Sequence, residues 1–274
     1  MSQKFSFVTN STLNDKSRLD VFIPGVLSVF GNHISELLVI IDSKTEEGRI
    51  KALHQSDLTN TLDVESINAL RKLDSRIKFI DLDYGQVEYI SQKYFKLKNV
   101  VRCQSGTPIF AFLYAIEQAT SPYVFRSDCD ILFYNKGFIE KIFDKKDKYD
   151  LIQPPYLNDS VVDFSTRSFF INKKSIANKS PLKMLFLDVL RRIHRTSLGR
   201  TSFLALEQIL QKNIQDKKIT CLNLSVATGF TMHVPRRSDF LEDRFFEIYK
   251  RFINGDIPFQ QLLLQHDYKK EYWL

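Results

Sequence analysis

The stretch SELLVIID, residues 35–42, constrains the fold more than any other part of the chain. Its five consecutive apolar residues, Leu37 to Ile41, leave no solvent-facing side, so it reads as a buried central strand closed by Asp42. Strand-like and helix-like segments alternate around it. KFSFVTN (4–10) reads as a short buried strand, and DKSRLDVFIPGVLSVFGN (15–32) as a helix with Asp15 and Ser17 as cap candidates and a kink at Pro24. DVESINALRKLD (63–74) is an amphipathic helix, RIKFIDLD (76–83) a strand and QVEYISQKYFK (86–96) a helix. SGTPIFAFLYAIEQA (105–119) is a largely buried helix with Thr107-Pro108 at its start, and SPYVFRSDCDILFY (121–134) supplies the next strand.

This rhythm predicts an α/β fold, Rossmann-like, with a mostly parallel sheet and helices on both faces. Ligands of such sheets collect at the carboxyl ends of the strands. Thr9-Asn10, Asp42, Asp81/Asp83 and Asp128/Asp130 all fall there. The second half is less regular. YDLIQPPY (149–156) and RSFFINKKS (167–175) read as strands around a polar loop, helices follow at 181–196 and 202–213, and KITCLNLSV (218–226) and GFTMHVP (229–235) precede two C-terminal helices. No repeat, low-complexity segment or linker interrupts the chain, so one domain over 1–274 is expected.

Phe is abundant, at 23 of 274 residues, which favours a packed core over a disordered chain. The formal net charge of +7 chooses no partner by itself. Basic residues are scattered rather than interleaved with aromatics on one face, which argues against a nucleic-acid binder. Cys103, Cys129 and Cys221 are far apart and form no C-x-x-C, which excludes a disulfide framework or cysteine-based zinc site and fits a reducing compartment. No leader pattern and no run of about 18 apolar residues is present, so a cytoplasmic location is expected.

Asp128 and Asp130 place two like charges one residue apart at the end of an apolar strand. They hold a divalent cation, or they form a solvated turn. A D-x-D arises by chance roughly once or twice in such a chain, and Asp81-Leu82-Asp83 is a second copy. The later pair follows a helix and a strand and runs into ILFY, whereas the earlier one is followed by YGQ, which reads as a turn. Arg126 shares its side of the strand with Asp128, and either pairs with that acid or touches a ligand.

With that strand placed fourth, the chain resembles the GT-A glycosyltransferases, which move a sugar from a nucleotide-sugar donor. The likeness covers about residues 1–235. It rests on a first strand ending in Thr9, Asn10 and Ser11, a second ending in Asp42, the D-x-D of Asp128 and Asp130, and the late segment TMHVPRRSD. The resemblance implies a donor half at 1–134, an acceptor-side half at 135–236 with a small antiparallel second sheet, and C-terminal helices at 237–274. It implies Mn²⁺ or Mg²⁺ held by Asp128, Asp130 and His233, with imidazole favouring Mn²⁺. Thr9, Asn10, Asp42 and Arg126 would contact the donor, and Asp83 would contact the nucleotide or merely cap the next helix. Arg236 and Arg237 would grip the diphosphate.

Glu207 is the candidate catalytic base, beside Asp130 in the catalytic set, with Asp159 and Asp163 as rivals; inversion or retention stays open. A UDP- or GDP-sugar donor and a glycan or lipid-linked acceptor are the implied partners, with surface polysaccharide assembly as the setting. The tail PFQQLLLQHDYKKEYWL offers a surface for docking on the domain, for dimerisation or for peripheral membrane contact at the inner face through Lys269, Lys270, Tyr272 and Trp273. His266 is a further metal-ligand candidate. Three other readings compete. A non-catalytic binding module would keep the sheet without the chemistry. A sugar-nucleotide nucleotidyltransferase needs a Gly-rich, Arg-containing loop that TNSTLND lacks, and a haloacid dehalogenase-type phosphohydrolase carries its D-x-D near the N-terminus.

Overall fold

The computed structural model describes residues 4–13, 15–42, 62–90, 92–93, 107–134, 137–154, 167–174, 206–224, 231–233 and 239–258. The helix expected at 181–196, the polar loop with Asp159 and Asp163, Arg236, Arg237, and the tail with His266, Lys269, Lys270, Tyr272 and Trp273 lie outside them.

Nine strands are described: β1 (Phe5–Thr12), β2 (Ile34–Asp42), β3 (Ile77–Asp81), β4 (Tyr123–Asp128), β5 (Ile131–Phe133), β6 (Leu151–Gln153), β7 (Ser168–Asn172), β8 (Cys221–Asn223) and β9 (Thr231–His233). Seven of them form one sheet in the order β3-β2-β1-β4-β7-β6-β8, and β5 and β9 form a separate pair. β1, β2, β3 and β4 are parallel, β7 is antiparallel to β4 and β6, and β6 and β8 are parallel. Only β7 therefore runs against the rest, the mostly parallel arrangement that the alternating pattern predicts. The small antiparallel sheet is β5 with β9.

The described helices are α1 (Lys16–Phe30), α2 (Val64–Leu73), α3 (Tyr84–Ile90), α4 (Thr107–Gln118), α5 (Gly137–Lys145), α6 (Leu206–Gln215) and α7 (Asp239–Ile253). Alternation along each strand sends its apolar residues to two cores. Val8, Leu38, Ile40, Val124 and Phe169 meet α4 and α6 on one face. Phe5, Phe7, Val39, Phe125 and Phe170 meet α1, α2 and α5 on the other. Both faces of β2 are covered, which is why five apolar residues follow one another there. The second core is aromatic: Phe7 stacks on Phe125 at 5.2 Å between centroids, and Phe30 meets Phe133 edge-on at 4.8 Å.

α1 spans Lys16–Phe30 with Pro24 inside it, and the expectation that changes is the cap at its start. Asp15 precedes it, but its carboxylate makes no cap hydrogen bond to the helix. It turns back to accept from Thr12 N and Thr12 Oγ1, both at 2.8 Å, and from Arg18 Nη1 at 2.6 Å. The tight return after β1 thus takes the carboxylate that the helix start would otherwise use. α2 shows the ordinary arrangement, with Asp63 accepting from Ser66 N at 2.7 Å. No helix among the described residues is long and apolar enough to cross a membrane.

Candidate functional site

Parallel registry brings the strand ends together. Asn10 lies opposite Asp128 on the β1–β4 ladder, Thr12 opposite Asp42 on β1–β2, and Ile41 opposite Asp81 on β2–β3. β4 ends at Asp128, whose N–H donates to Arg167 O at 2.7 Å, so the strand preceding the turn is held from the β7 side. Cys129 and Asp130 form the turn and are 4% and 2% exposed. β5 starts at once, and its pairing with β9 places His233 opposite Ile131, the residue after Asp130. Asp128, Asp130 and His233 therefore come from neighbouring positions of two short elements, although His233 is far along the chain.

The polar groups here are unusual for a buried strand edge. Both amide atoms of Asn10, Oδ1 and Nδ2, are buried without a hydrogen-bond partner, and so is Thr9 Oγ1. A buried amide with neither its donor nor its acceptor engaged costs a few kcal/mol and is rare in folded proteins. Asn10 sits directly across the ladder from the first acid of the D-x-D, so its amide is placed to bind a polar ligand. Arg126, 4% exposed, lies two residues before Asp128 and donates from Nη2 to Asp128 Oδ1 at 2.5 Å. Of the two roles open to this arginine, the ion pair with Asp128 is present.

Burial pushes the Cys129 thiol well above its ordinary value, and the negative charges of Asp15, Asp130 and Asp128 push the same way against Arg18. Those four charged side chains thus surround the turn. In sequence Asp15 reads as a helix cap, and the signal for Arg18 is its i, i+3 spacing from that acid. Arg167, whose carbonyl holds Asp128, had no sequence signal, because β7 reaches β4 only through antiparallel long-range pairing.

The other candidates separate. Asp83 forms a capping box with α3, accepting from Gln86 N at 3.1 Å while its own N–H donates to Gln86 Oε1 at 3.0 Å. Of its two readings, the helix cap is the one the geometry contains. Asp81 is exposed at the end of β3. Glu207 lies on α6. Among the described residues no three His, Cys, Asp or Glu side chains gather as a metal-binding group. Asp128 at the end of β4 and Asp130 in the turn supply carboxylate oxygens, the donor type a hard divalent cation takes, with the Asn10 amide across the ladder from Asp128.

No family model and no curated protein sequence matches the chain. Solved structures match in fold. The glycosyltransferase GlyE of Streptococcus pneumoniae is 10% identical, with 96% of this chain covered and a TM-score of 0.56. Its apo form gives 0.55 at the same identity and coverage. The chain spans 63% of the length of the GlyE chain. Mouse xyloside xylosyltransferase 1 is 10% identical over 81% of this chain and 86% of its own, at a TM-score of 0.48. The chain therefore has the fold of the GT-A glycosyltransferases.

Proposed function

We propose that the chain is a metal-dependent glycosyltransferase, moving a sugar from a nucleoside-diphosphate-sugar to a hydroxyl acceptor on a glycan or lipid. The observation that carries this reading is the buried, partnerless amide of Asn10 facing Asp128 at the carboxyl edge of a parallel sheet. A polar ligand at that edge would satisfy the amide, and an acidic pair beside it suits a ligand that arrives with a cation.

In this reading Asp128, Asp130 and His233 hold Mn²⁺ or Mg²⁺. Bound there, the ion would neutralise the negative charge that develops on a leaving diphosphate, without proton transfer. Thr9, Asn10 and Asp42 hold the nucleoside part. Arg236 and Arg237 clamp the phosphates with forked hydrogen bonds. Glu207 is the carboxylate assigned to take the acceptor proton, which requires hydrogen-bond reach of that hydroxyl. Surface polysaccharide assembly remains the setting assigned by analogy.

Calorimetric titration with UDP and with GDP, each with Mn²⁺ and with chelator, tests the reading on the wild type and on Asp130→Ala. Binding that needs both the metal and Asp130 is expected for one of the two nucleotides. Binding indifferent to metal and to the substitution moves the chemistry away from the D-x-D. No binding of either nucleotide favours a sheet retained as a non-catalytic module.

A further inference from the structure

The position of Arg126 carries an inference that rests on the reading of Asp128 and Asp130 as cation ligands. Its neighbours across the two ladders are Val8 on β1 and Phe169 on β7. The residues around it on that face are apolar: Val8, Leu38, Val124, Phe169 and Ile171, all fully or nearly fully buried. The arginine side chain is itself only 5% exposed, and its guanidinium carbon lies 5.9 Å from the centre of the Phe169 ring.

A buried ion pair is a poor device for stability alone. Desolvating a guanidinium and a carboxylate costs about what their attraction returns, and apolar residues of similar volume commonly do as well or better. An apolar residue at 126 would continue the core layer of this face. The sequence instead spends that position on a cation aimed at the first acid of the D-x-D, whose side chain is 33% exposed. The same pattern recurs next door, where Asp15 carries Arg18 at 2.6 Å. Asp128 and Asp15, both beside the Cys129 turn, are thus each joined to an arginine.

We infer that Arg126 is a positioning residue that gates cation capture at the D-x-D. It holds the Asp128 carboxylate and opposes a divalent ion through like charge, so that such an ion binds well only together with a diphosphate. The diphosphate brings the negative charge that offsets the guanidinium. By reciprocity, whatever factor the nucleotide adds to ion affinity the ion adds to nucleotide affinity. Arg126 would therefore set the coupling between the two ligands rather than the affinity of either alone. Its contact with Asp128 is the route by which it reaches the cation site.

Mn²⁺ binding followed by electron paramagnetic resonance of the free ion tests this without any turnover. The wild type, Arg126→Met, Arg126→Lys and Asp130→Ala are each titrated with Mn²⁺ alone and with Mn²⁺ plus UDP or GDP. Thermal unfolding of each variant checks folding. Arg126→Met is expected to bind Mn²⁺ alone about tenfold or more tightly than the wild type, which corresponds to a change of about 1.4 kcal/mol. The factor by which nucleotide strengthens Mn²⁺ binding is expected to shrink to match.

Arg126→Lys keeps the charge without the fork and is expected to stay close to the wild type, while Arg126→Gln, neutral but polar and titrated in the same way, covers the case in which the Met variant does not fold. A purely structural role would lower ion affinity on substitution, never raise it. Unchanged or weaker Mn²⁺ binding in the neutral variants overturns the inference. Should Asp130→Ala leave Mn²⁺ binding intact, the D-x-D is not the cation site and the functional reading falls as well. Loss of binding in Asp130→Ala with no gain in either neutral Arg126 variant removes only the gating role.

Discussion

Glu36 sits near the amino end of β2, at the edge of the sheet opposite the candidate site, and is 2% exposed. Its Oε1 accepts from Ser6 Oγ, Thr120 N and Thr120 Oγ1, each at 2.7 Å, and its Oε2 from Lys78 Nζ at 2.8 Å. Burial raises its pKa, but the Lys78, Thr120 and Ser6 hydrogen bonds outweigh burial and hold it at about 2, below the ordinary 4.5. The folded chain therefore binds this proton less readily than the unfolded one. The resulting stabilisation is complete above pH ~4.5 and disappears as the pH falls through about 2, and the shift corresponds to about 3 kcal/mol. Glu36→Gln is expected to lose about 2–3 kcal/mol at pH 7 and progressively less toward pH 2, read by urea unfolding at a series of pH values. A constant difference across that range would show that shape, not charge, is what Glu36 contributes. None of this was legible in SELLVIID, where Glu36 reads as a polar strand edge. Its partners stand 30, 42 and 84 residues away, and only the parallel registry brings them to one point.

At the scale of elements, α7 is tied to the strand that follows the D-x-D. Tyr249 is fully buried; its hydroxyl donates to Phe133 O at 2.8 Å and accepts from Phe133 N at 3.2 Å. One phenol thus engages both backbone groups of Phe133 on the short strand β5. α1 makes room for it at Gly25, where an added Cβ would lie 2.7 Å from Tyr249 Oη and 2.8 Å from its Cε1. Tyr249→Phe is expected to cost about 1–3 kcal/mol from the lost hydrogen bonds. Gly25→Ala is expected to cost about 1–3 kcal/mol from overpacking. Because the lost hydroxyl is also the nearest atom to the new methyl, the double variant should lose less than the sum, which a thermal-unfolding cycle measures. Strict additivity would mean that the clash is relieved elsewhere. The sequence places a C-terminal helix in this region but says nothing of its target, because no local pattern links Gly25 to a tyrosine so far along the chain.

Over the whole molecule, what was legible and what was not divides along the β4–β7 ladder. β1 to β4 and their helices follow one another in sequence, each strand closed by a polar end, so periodicity alone locates Asn10, Asp42 and Asp128. Beyond β4 the neighbours are set by long-range pairing: β7 enters antiparallel between β4 and β6, and β9 joins β5. The reading of a second small sheet holds, but no local pattern fixes the register that puts His233 opposite Ile131. The ligand edge straddles this seam, with Asn10 on β1, Asp128 on β4 and the Arg167 carbonyl leading into β7. A ligand held there braces strands that otherwise meet only through their ladders, so its binding energy should appear as global stability. With the nucleotide and Mn²⁺ at about 100 times the dissociation constant, the gain is about 2.7 kcal/mol. For a chain of this size that is a rise in Tm of about 5 °C or more. Asp130→Asn is expected to abolish the rise while leaving the ligand-free Tm equal to or above that of the wild type. It removes a nearly buried charge that stands among Asp15 and Asp128. Differential scanning calorimetry with and without ligand reads both quantities at once. A ligand-free Tm that falls by several degrees would mean that Asp130 supports the turn itself, and a retained ligand shift would place the cation elsewhere.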